Sequence, residues 1–485
     1  MVESNFGTLI GQWANIILLF IIVIMCLYII RHFRFFANRL FQKQGNCHQD
    51  LAGNYKPTVS ILIPMHMEEK VAAGILDCMV KMDYPKNNLQ FEVIAINDGS
   101  TDATSAIIDE YASNFHYIKA VHRVGNGGNG KSEALNVGLK LASNEIILIF
   151  DADYLPPRDC VARLVAPFVD AEVGGVMGRV VPINSPESLV SRIMDIERAG
   201  GYQIGQQARY NLSLIPQFGG TVGGFRRSVL TSLGGFDETK LAEDTDLTYK
   251  LYLNGWKIAY ANAAECYEES VSSWRTREKQ LSRWAAGHDQ CFFEYFFKTI
   301  RSEALTFWQK VDGILLLGAY ATPLLILIGW LIGIFTYLDG GPWWASLFPA
   351  IIFVFAYNCI GNLAVFAEVG GSLFLDQRRR SIWLLPLMFL DMVGNVWVCS
   401  GAFFKAIFLT LHPKKIKKPL NSVQRIIKNQ NIDTLNVRSK SNNPHWDKTE
   451  RSGNGLHFYA GVAMEVKENS ELENAVIKKN SKGRD

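Results

Sequence analysis

The sequence predicts an α/β fold in which a mostly parallel sheet with flanking helices is combined with α-helical transmembrane and interfacial segments. Between residues 59 and 150, short apolar runs alternate with helical patterns, which is typical of a parallel sheet covered on both faces. Hydrophobic segments stand on both sides of this stretch. We therefore expect an α/β domain that is attached to a membrane.

The length of 485 residues exceeds what one small core requires and indicates several domains. We expect a transmembrane anchor with a basic linker at 1–50, and a cytoplasmic α/β domain with an interfacial helix at 51–300. Transmembrane and interfacial helices are expected at 301–415, and a polar cytoplasmic tail at 416–485.

The first hydrophobic segment, Trp13–Ile30, is just long enough to span a bilayer at a helical rise of about 1.5 Å per residue. A signal peptide would carry positive charge before its apolar run, but here Glu3 precedes the run and basic residues follow it. These basic residues are Arg31, Arg34, Arg39 and Lys43. The positive-inside rule therefore places the N-terminus outside the cell and the following domain in the cytoplasm.

Further hydrophobic segments follow the α/β region, and two of them, Val311–Tyr337 and Trp344–Phe366, are predicted to span the membrane. A third, Ser381–Leu411, contains Asp391 and Lys405, which are costly in lipid. We interpret it as an interfacial or re-entrant helix, or as a short pair of helices, so that the tail stays cytoplasmic. The chain is thus expected to be a multi-pass protein of the cell (inner or plasma) membrane.

Composition argues against two other classes of protein. The net charge is only +3, and the basic clusters lie beside hydrophobic segments, which suits a membrane surface better than a nucleic acid. Eight cysteines occur without a CxxC pair, which argues against a disulfide framework or a zinc site.

The α/β region begins with three strand–helix units and a fourth strand. The expected strands are Val59–Ile63, Phe91–Ile96, Tyr117–Val121 and Glu145–Phe150, and the expected helices are Glu68–Lys81, Thr101–Tyr111 and Ser132–Ala142. In parallel sheets, ligands bind beyond the carboxyl ends of the strands. Glu68, Asp98 and Asp151 all follow strand ends, so we expect them to converge on one crevice.

Acidic residues at two of these strand ends could bind a ligand. Asp98 lies in an Asn-Asp-Gly-Ser sequence, so it could be a turn former only, but its position favours contact with a base or ribose. Asp151 and Asp153 follow a fully apolar run, where capping is the simpler alternative. Two carboxylates at this position suit Mg²⁺ or Mn²⁺, because these ions prefer oxygen ligands and bridge phosphates.

Glu243 and Asp244 precede a helical pattern over residues 245–254. Asp244 or Thr245 could serve merely as the helix N-cap. The alternative is a general base that deprotonates an acceptor hydroxyl, which suits a carboxylate whose pKa is raised by burial or by neighbouring acids.

Gly125–Ser132 matches the P-loop pattern GxxxxGK[ST] and lies between a strand and a helix. Taken alone, it indicates a nucleoside triphosphatase with Asp151 as its magnesium ligand. However, a P-loop usually follows the first strand of its domain, and this one follows the third. A P-loop NTPase is therefore the remote alternative, although Lys131 can contact a phosphate in either case.

Gln280, Arg283 and Trp284 are spaced to share one face of a helix. A surface amphipathic helix would explain them without a function. Trp, however, is common at membrane interfaces and as a platform on which a sugar ring stacks. Arg283 can form charge-assisted bonds to a diphosphate.

Taken together, these motifs resemble those of membrane-embedded family 2 glycosyltransferases, such as cellulose, hyaluronan and poly-N-acetylglucosamine synthases. The resemblance covers roughly residues 57–300. It rests on Pro64–Glu69, Asp98–Ser100, Gly130–Asn136, Asp151–Asp153, Phe218–Thr221, Glu243–Asp244 and Gln280–Trp284. It implies a GT-A type fold for the domain at 51–300.

The resemblance also implies roles for these residues. Glu68 and Asp98 would bind the uracil and ribose of a UDP-sugar donor, and Lys131 and Asp151 would lie near its diphosphate. Asp153, with Asp151, would coordinate Mg²⁺ or Mn²⁺. Asp244 would be the catalytic base, beside Glu243. Gln280, Arg283 and Trp284 would hold the pyrophosphate and the acceptor sugar.

The reaction implied by the resemblance inverts the anomeric carbon and is metal-dependent. The expected function is processive synthesis and export of a β-linked polysaccharide, with a growing glycan as the acceptor. The alternative is transfer of one sugar to a membrane lipid, as in a diacylglycerol β-glycosyltransferase. The resemblance leaves room for an accessory subunit.

Overall fold

The computed structural model describes residues 2–86, 90–124, 130–338, 363–411 and 435–438. The described residues divide into two compact units. The helical unit consists of residues 2–45, 192–216, 273–338 and 363–411, and the sheet unit consists of residues 46–86, 90–124, 130–191, 217–272 and 435–438.

The described part of the sheet unit contains one sheet of nine strands. The strands are β1 (Val59–Met65), β2 (Phe91–Asn97), β3 (Ile118–Val124), β4 (Ile146–Ile149), β5 (Tyr154–Leu155), β6 (Val173–Pro182), β7 (Gly223–Arg226), β8 (Lys257–Glu268) and β9 (Leu435–Arg438). Their order across the sheet is β5-β8-β6-β7-β4-β1-β2-β3-β9.

Most neighbouring strands in this sheet are parallel, which confirms the prediction. The strands β4, β1, β2, β3 and β9 form a continuous parallel block, and β6 and β8 are also parallel. The strand β7 runs antiparallel to both of its neighbours, β4 and β6, and β5 runs antiparallel to β8. The four predicted strands correspond to β1–β4, and every residue of β1, β2 and β4 is buried, as continuous apolar runs require.

The described residues also form fourteen α-helices, numbered here in chain order. They are α1 (Val2–Phe41), α2 (Ala72–Lys81), α3 (Thr104–Asn114), α4 (Lys131–Leu141), α5 (Cys160–Val165), α6 (Leu189–Ala199), α7 (Gln207–Asn211), α8 (Arg227–Ser232), α9 (Glu243–Leu253), α10 (Trp274–Arg301), α11 (Phe307–Leu317), α12 (Thr322–Leu338), α13 (Leu363–Leu375) and α14 (Leu385–Leu411). A π-helix at Gly200–Gln206 joins α6 to α7.

The helix α2 starts later than predicted, because the residues before it belong to a loop that is bound to its neighbour. The amide of Glu68 donates to the Thr104 hydroxyl at 2.8 Å, and the amide of Glu69 donates to the Asp102 carboxylate at 3.2 Å. Since side chains at the start of α3 satisfy these N–H groups, the segment does not need to be helical.

Two helical runs of the helical unit are long and apolar enough to cross a membrane. They are Ile10–Phe41 and Arg379–Leu411, with mean hydropathy of 2.8 and 1.7 over their most apolar windows. The first contains the predicted span Trp13–Ile30. The second is a single continuous run, so the predicted alternative of a short helix pair at Ser381–Leu411 is wrong. Most of the predicted span Trp344–Phe366 lies outside the described residues.

The predicted span Val311–Tyr337 is formed by a pair of helices that are bent by 72°. The bend occurs between α11 and α12, where side chains bind the carbonyl groups that the break releases. The Tyr28 hydroxyl donates to the carbonyl of Leu315 at 2.6 Å, and the Thr322 hydroxyl donates to that of Ala319 at 2.7 Å. These bonds allow a helix break among apolar residues.

A buried charge cluster joins three helices of the helical unit. Arg31 on α1 lies 2.6 Å from Asp312 on α11, and Arg209 on α7 lies 3.6 Å from the other oxygen of the same carboxylate. Both guanidinium groups lie over the Phe35 ring, at 5.0 and 5.3 Å from its centroid. Arg31 is one of the basic residues to which the positive-inside rule was applied. Its charge is thus paired with Asp312 inside the helical unit.

Candidate active site

Lys131, the first residue of α4, is the centre of a polar cluster in the sheet unit. Its ammonium group lies 2.6 Å from Asp151 and 3.9 Å from Glu243, and it donates to the carbonyl of Gly220 at 2.9 Å. Burial alone would lower the pKa of Lys131, but the Asp151 and Glu243 carboxylates reverse this effect, and the pKa is raised. Lys131 therefore carries a positive charge among the predicted acidic residues.

Asp151 and Asp153 lie where the chain leaves β4, as predicted. The amide of Asp151 donates to the Thr221 hydroxyl at 3.1 Å, which ties this turn to the loop before β7. The Asp151 side chain is 31% exposed, whereas Asp153 is 8% exposed. One carboxylate is therefore accessible from solvent and the other is held below the surface.

Asp244 lies in the first turn of α9, and the helix N-cap is Ala242, so Asp244 is not the cap residue. Its carboxylate accepts a hydrogen bond from the amide of Thr245 at 2.7 Å. Burial raises the pKa of Asp244, while the Thr245 amide and Lys131 act in the opposite direction. A raised pKa suits a carboxylate that accepts a proton near neutral pH.

Gly220 allows the backbone to approach these side chains closely. Its φ of +81° is one that side-chain-bearing residues rarely adopt. A Cβ atom at this position would lie 3.4 Å from the Asp244 carboxylate and 3.7 Å from the Lys131 ammonium group. The loop that carries Thr221 therefore brings Asp151, Lys131 and Asp244 into one cluster.

Asp98 forms a second group, together with an arginine that the sequence did not single out. Arg123 on β3 lies 2.5 Å from Asp98 and 2.6 Å from Glu133, and the side chains of Arg123 and Asp98 are each 2% exposed. Burial raises the pKa of Asp98, and the charge of Arg123 offsets part of this shift. The signal available in the sequence was a basic residue near the end of β3, shortly before the glycine-rich loop.

Glu68 and Asp98 lie on segments that are bound to each other. The His66 ring is 2.9 Å from the carbonyl of Asp98, and the Met67 amide donates to the Ser100 hydroxyl at 2.9 Å. With the bond from Glu68 to Thr104, these contacts join the loops after β1 and β2.

Gln280, Arg283 and Trp284 lie on α10 of the helical unit, and their helical spacing is as predicted. The helix begins at the N-cap Ser273, whose hydroxyl accepts from the amide of Thr276 at 3.3 Å. Gln280 is 7% exposed, and its carbonyl oxygen has no hydrogen-bond partner among the described residues. Trp284 is half-buried.

The residues of the sheet unit suit a divalent cation whose coordination sphere is completed by oxygens of a bound ligand. In the described ranges, no three His, Cys, Asp or Glu side chains are grouped so that they could hold a metal by themselves. Asp151 and Asp153 offer two carboxylates, and Mg²⁺ commonly takes one or two carboxylates together with phosphate and water oxygens. The set of donors therefore fits an ion that binds together with a diphosphate.

Comparison with known sequences links this region to one family. The sequence model described as "Glycosyltransferase like family 2" matches residues 57–287. The chain is 36% identical over 254 residues to a probable glycosyltransferase, YdaM, of Bacillus subtilis, a match that covers 51% of this chain and 60% of the relative. It is 33% identical over 257 residues to a beta-monoglucosyldiacylglycerol synthase of Nostoc, over 53% of this chain and 54% of the relative.

A third relative matches over a longer range. The poly-beta-1,6-N-acetyl-D-glucosamine synthase of Staphylococcus epidermidis is 27% identical over 390 residues, which is 79% of this chain and 88% of the relative. The chain thus spans 60% and 54% of the first two relatives, and most of the third.

The fold has a counterpart among solved structures. A mannosyltransferase from Pyrobaculum calidifontis, in complex with GDP-Man and Mn²⁺, superposes with a TM-score of 0.53 at 24% identity, over 74% of this chain and 98% of that chain. This likeness confirms the predicted GT-A type fold. Residues 57–287 of this chain form a glycosyltransferase domain of family 2.

Proposed function

We propose that the chain is an inverting glycosyltransferase that uses a UDP-sugar and a divalent cation, and that it synthesises a β-linked polysaccharide at the membrane. The observation that supports this most directly is the cluster of Lys131, Asp151, Glu243 and Asp244, built from three separate segments of a glycosyltransferase domain. A buried base, a cation and accessible carboxylate oxygens are the groups that sugar transfer from a nucleotide requires.

In the proposed reaction, Asp244 removes the proton of the acceptor hydroxyl as its oxygen attacks the anomeric carbon. The bond from that carbon to the diphosphate oxygen breaks in the same step, and UDP leaves with the bonding electron pair. An α-linked donor then gives a β-linked product, because attack occurs opposite to the leaving group. The raised pKa of Asp244 supports its assignment as the base.

The negative charge that develops on UDP requires stabilisation. Lys131 is proposed to contact the diphosphate, since its ammonium group already lies beside Asp151. Asp151 and Asp153 are proposed to hold Mg²⁺ or Mn²⁺, which when bound neutralises charge on the phosphates. For Glu68 and Asp98 we propose binding of the uridine, and for Gln280, Arg283 and Trp284 binding of the pyrophosphate and the acceptor sugar.

We propose a polymer and not a glycolipid as the product, because the match to a polymer synthase covers more of this chain than the matches to glycolipid synthases. The poly-N-acetylglucosamine synthase aligns over 390 residues, which extends well beyond the catalytic domain. The diacylglycerol-specific relatives have higher identity but align over only 256 or 257 residues. Transfer of a single sugar to diacylglycerol is therefore the second candidate.

A P-loop NTPase remains the remote alternative. Residues 125–129 of the glycine-rich sequence lie outside the described residues. The ammonium group of Lys131 lies beside Asp151 and Glu243, and the family match includes this segment. An assay for ATP hydrolysis separates the two functions, because in an NTPase Lys131→Ala should abolish hydrolysis that does not depend on a sugar donor.

We further propose a multi-pass arrangement in the cell membrane, with the catalytic domain in the cytoplasm. Two apolar helices of sufficient length and the basic residues that follow the first of them support this placement.

The experiment is a transfer assay with membranes that contain the full chain. Radiolabelled UDP-glucose and UDP-N-acetylglucosamine are supplied with Mg²⁺ or Mn²⁺, and the product is separated by organic extraction and by size. We expect label in a polymer that a β-specific glycosidase digests, and loss of transfer when EDTA removes the metal. Asp244→Asn should reduce the rate by about 10²–10⁴-fold, the usual effect of losing a general base.

The matched control is Glu172→Gln, which changes an exposed acid of the same unit and should transfer at the wild-type rate. Label that is recovered only in the organic phase would indicate a glycolipid instead of a polymer. Absence of transfer from every UDP-sugar, or full activity of Asp244→Asn, would refute the proposed reaction.

A further inference from the structure

Two consecutive residues of α6 contact α10 within the helical unit. The Arg198 guanidinium lies over the Trp284 ring, 5.3 Å from its centroid. The neighbouring Glu197 lies 2.5 Å from Arg277, which precedes Trp284 by two helical turns on α10. Arg277 is almost fully buried and the Glu197 side chain is 27% exposed, so this ion pair joins the two helices and is largely shielded from solvent.

The end of α6 that carries these residues packs against α13. Ile193 and Ile196 pack with Val369 and Leu373 of α13 in a buried apolar cluster. Gly200 follows directly, and a Cβ atom there would lie 2.9 Å from the Val369 side chain, so the backbone approaches α13 closely. The chain then enters the π-helix, an uncommon conformation that often occurs at functional sites.

A tryptophan on a helix surface can adopt several rotamers, which would present its ring in different directions. A guanidinium group over the ring restricts this freedom, because the planar cation interacts favourably with the π-face. It also occupies one face of the indole, so a sugar ring that stacks on Trp284 has only the opposite face available.

We infer that Arg198 is a positioning residue that fixes the Trp284 indole for an acceptor sugar ring, and that the Glu197–Arg277 pair holds α6 and α10 in the alignment this requires. The inference rests on the proposed function, since it concerns acceptor binding by the same enzyme. It assigns a role in that binding to α6, a segment that carries none of the sequence motifs.

The test compares Arg198→Ala and Arg198→Lys with the wild type in the full-length protein. The acceptors are cellotetraose, chitotetraose and dioleoylglycerol, each varied at saturating UDP-sugar. For Arg198→Ala we expect the acceptor KM to rise about 5- to 30-fold, equivalent to about 1–2 kcal/mol, with the donor KM within twofold of the wild type. Arg198→Lys should recover part of the loss, because it retains a cation.

The matched control is Arg301→Ala. This substitution removes a guanidinium group that lies over the Phe297 ring at the exposed end of α10, the helix that carries Trp284. It should leave both KM values unchanged. An unchanged acceptor KM in Arg198→Ala, or an equal rise in the donor KM, would overturn the inference.

A second measurement does not depend on activity. Arg198→Ala should change the tryptophan fluorescence of the wild type but not that of a Trp284→Phe background, and the two substitutions should be non-additive in thermal unfolding. Full additivity and identical spectral changes in both backgrounds would refute the contact. A wild type that transfers no sugar while this coupling persists would instead count against the proposed function.

Discussion

Lys131 shows how one side chain can make an acidic site compatible with folding. Asp151, Glu243 and Asp244 would repel one another if they were ionised without a counter-charge. The ammonium group near all three offsets this repulsion. The same group is therefore suited both to offsetting the charge of these carboxylates and to binding a diphosphate.

Asp289 on α10 is an acid in the opposite situation. It is 0% exposed, and neither carboxylate oxygen has a hydrogen-bond partner among the described residues. Burial raises its pKa to about 7 from an ordinary value of 3.8. Between these values the native state holds a proton that the unfolded state releases, so the contribution of Asp289 to stability falls as the pH rises from about 3.8 to about 7.

We therefore predict that Asp289→Asn stabilises the protein at alkaline pH, because asparagine cannot ionise. The gain should be small at about pH 4 and reach on the order of 1–4 kcal/mol at pH 8. Thermal unfolding in detergent at several pH values measures it. Glu303→Gln, an exposed acid beyond the end of the same helix, should not show this trend. Parallel stability–pH curves for Asp289→Asn and the wild type would contradict the prediction.

Asp98 and Asp151 could be predicted as members of the candidate site because they follow strand ends, whereas Glu243 and Asp244 were predicted from their place before a helix. The carboxyl ends of parallel strands meet at one edge of a sheet, so the strand pattern alone predicts that Asp98 and Asp151 lie near one another. Arg123 could not be identified in this way, since its partners Asp98 and Glu133 are close only in the folded protein. Asp289 was missed because it stands between His288 and Gln290, and polar residues in a helical pattern usually face solvent.

At the level of secondary structure elements, apolar strands were predicted well and helix breaks were not. The parallel strands β1, β2 and β4 are buried along their whole length, and their mostly apolar pattern is local. The bend between α11 and α12 depends on Tyr28, which comes from α1 and binds a carbonyl group near the break. Hydropathy contains no information on such a partner, so the bend within the span Val311–Tyr337 was not predicted.

The charge cluster that joins α1, α7 and α11 gives a prediction about these elements. Asp312→Asn would leave Arg31 and Arg209 buried without their shared carboxylate. Removing one partner of a buried ion pair commonly costs about 3–5 kcal/mol. We expect a corresponding loss of thermal stability for the full-length protein in detergent.

The control for this substitution is Lys310→Gln, two residues earlier on α11, which should change stability by less than about 0.5 kcal/mol. A loss for Asp312→Asn no greater than that of the control would show that the cluster does not stabilise the helical unit.

At the scale of the whole molecule, the two units are interleaved along the chain. Residues 192–216 interrupt the sheet unit in sequence and pack within the helical unit. Ile196 and Ile204 from this segment are 0% exposed there. No helix was predicted for this segment, and local periodicity could not show which unit it joins, because that depends on packing against residues more than 100 positions away.

This interleaving predicts the behaviour of a fragment of residues 46–272. The fragment would expose the apolar face of residues 192–216, and we expect it to aggregate. Ile196→Asn with Ile204→Asn should increase its soluble yield, measured by size-exclusion chromatography. In the full chain the same pair should lower the unfolding temperature, because each amide would be buried without a partner. A monodisperse fragment without these substitutions would contradict the prediction.

The interleaving also has a consequence for synthesis on the ribosome. The segment 192–216 emerges long before α13 and α14, which supply part of its apolar partners. At ordinary elongation rates this delay is on the order of ten seconds, during which the nascent chain exposes the apolar surface of this segment. Biogenesis of this protein should therefore depend on a chaperone or on early delivery to the translocon, and slow translation should lower its yield.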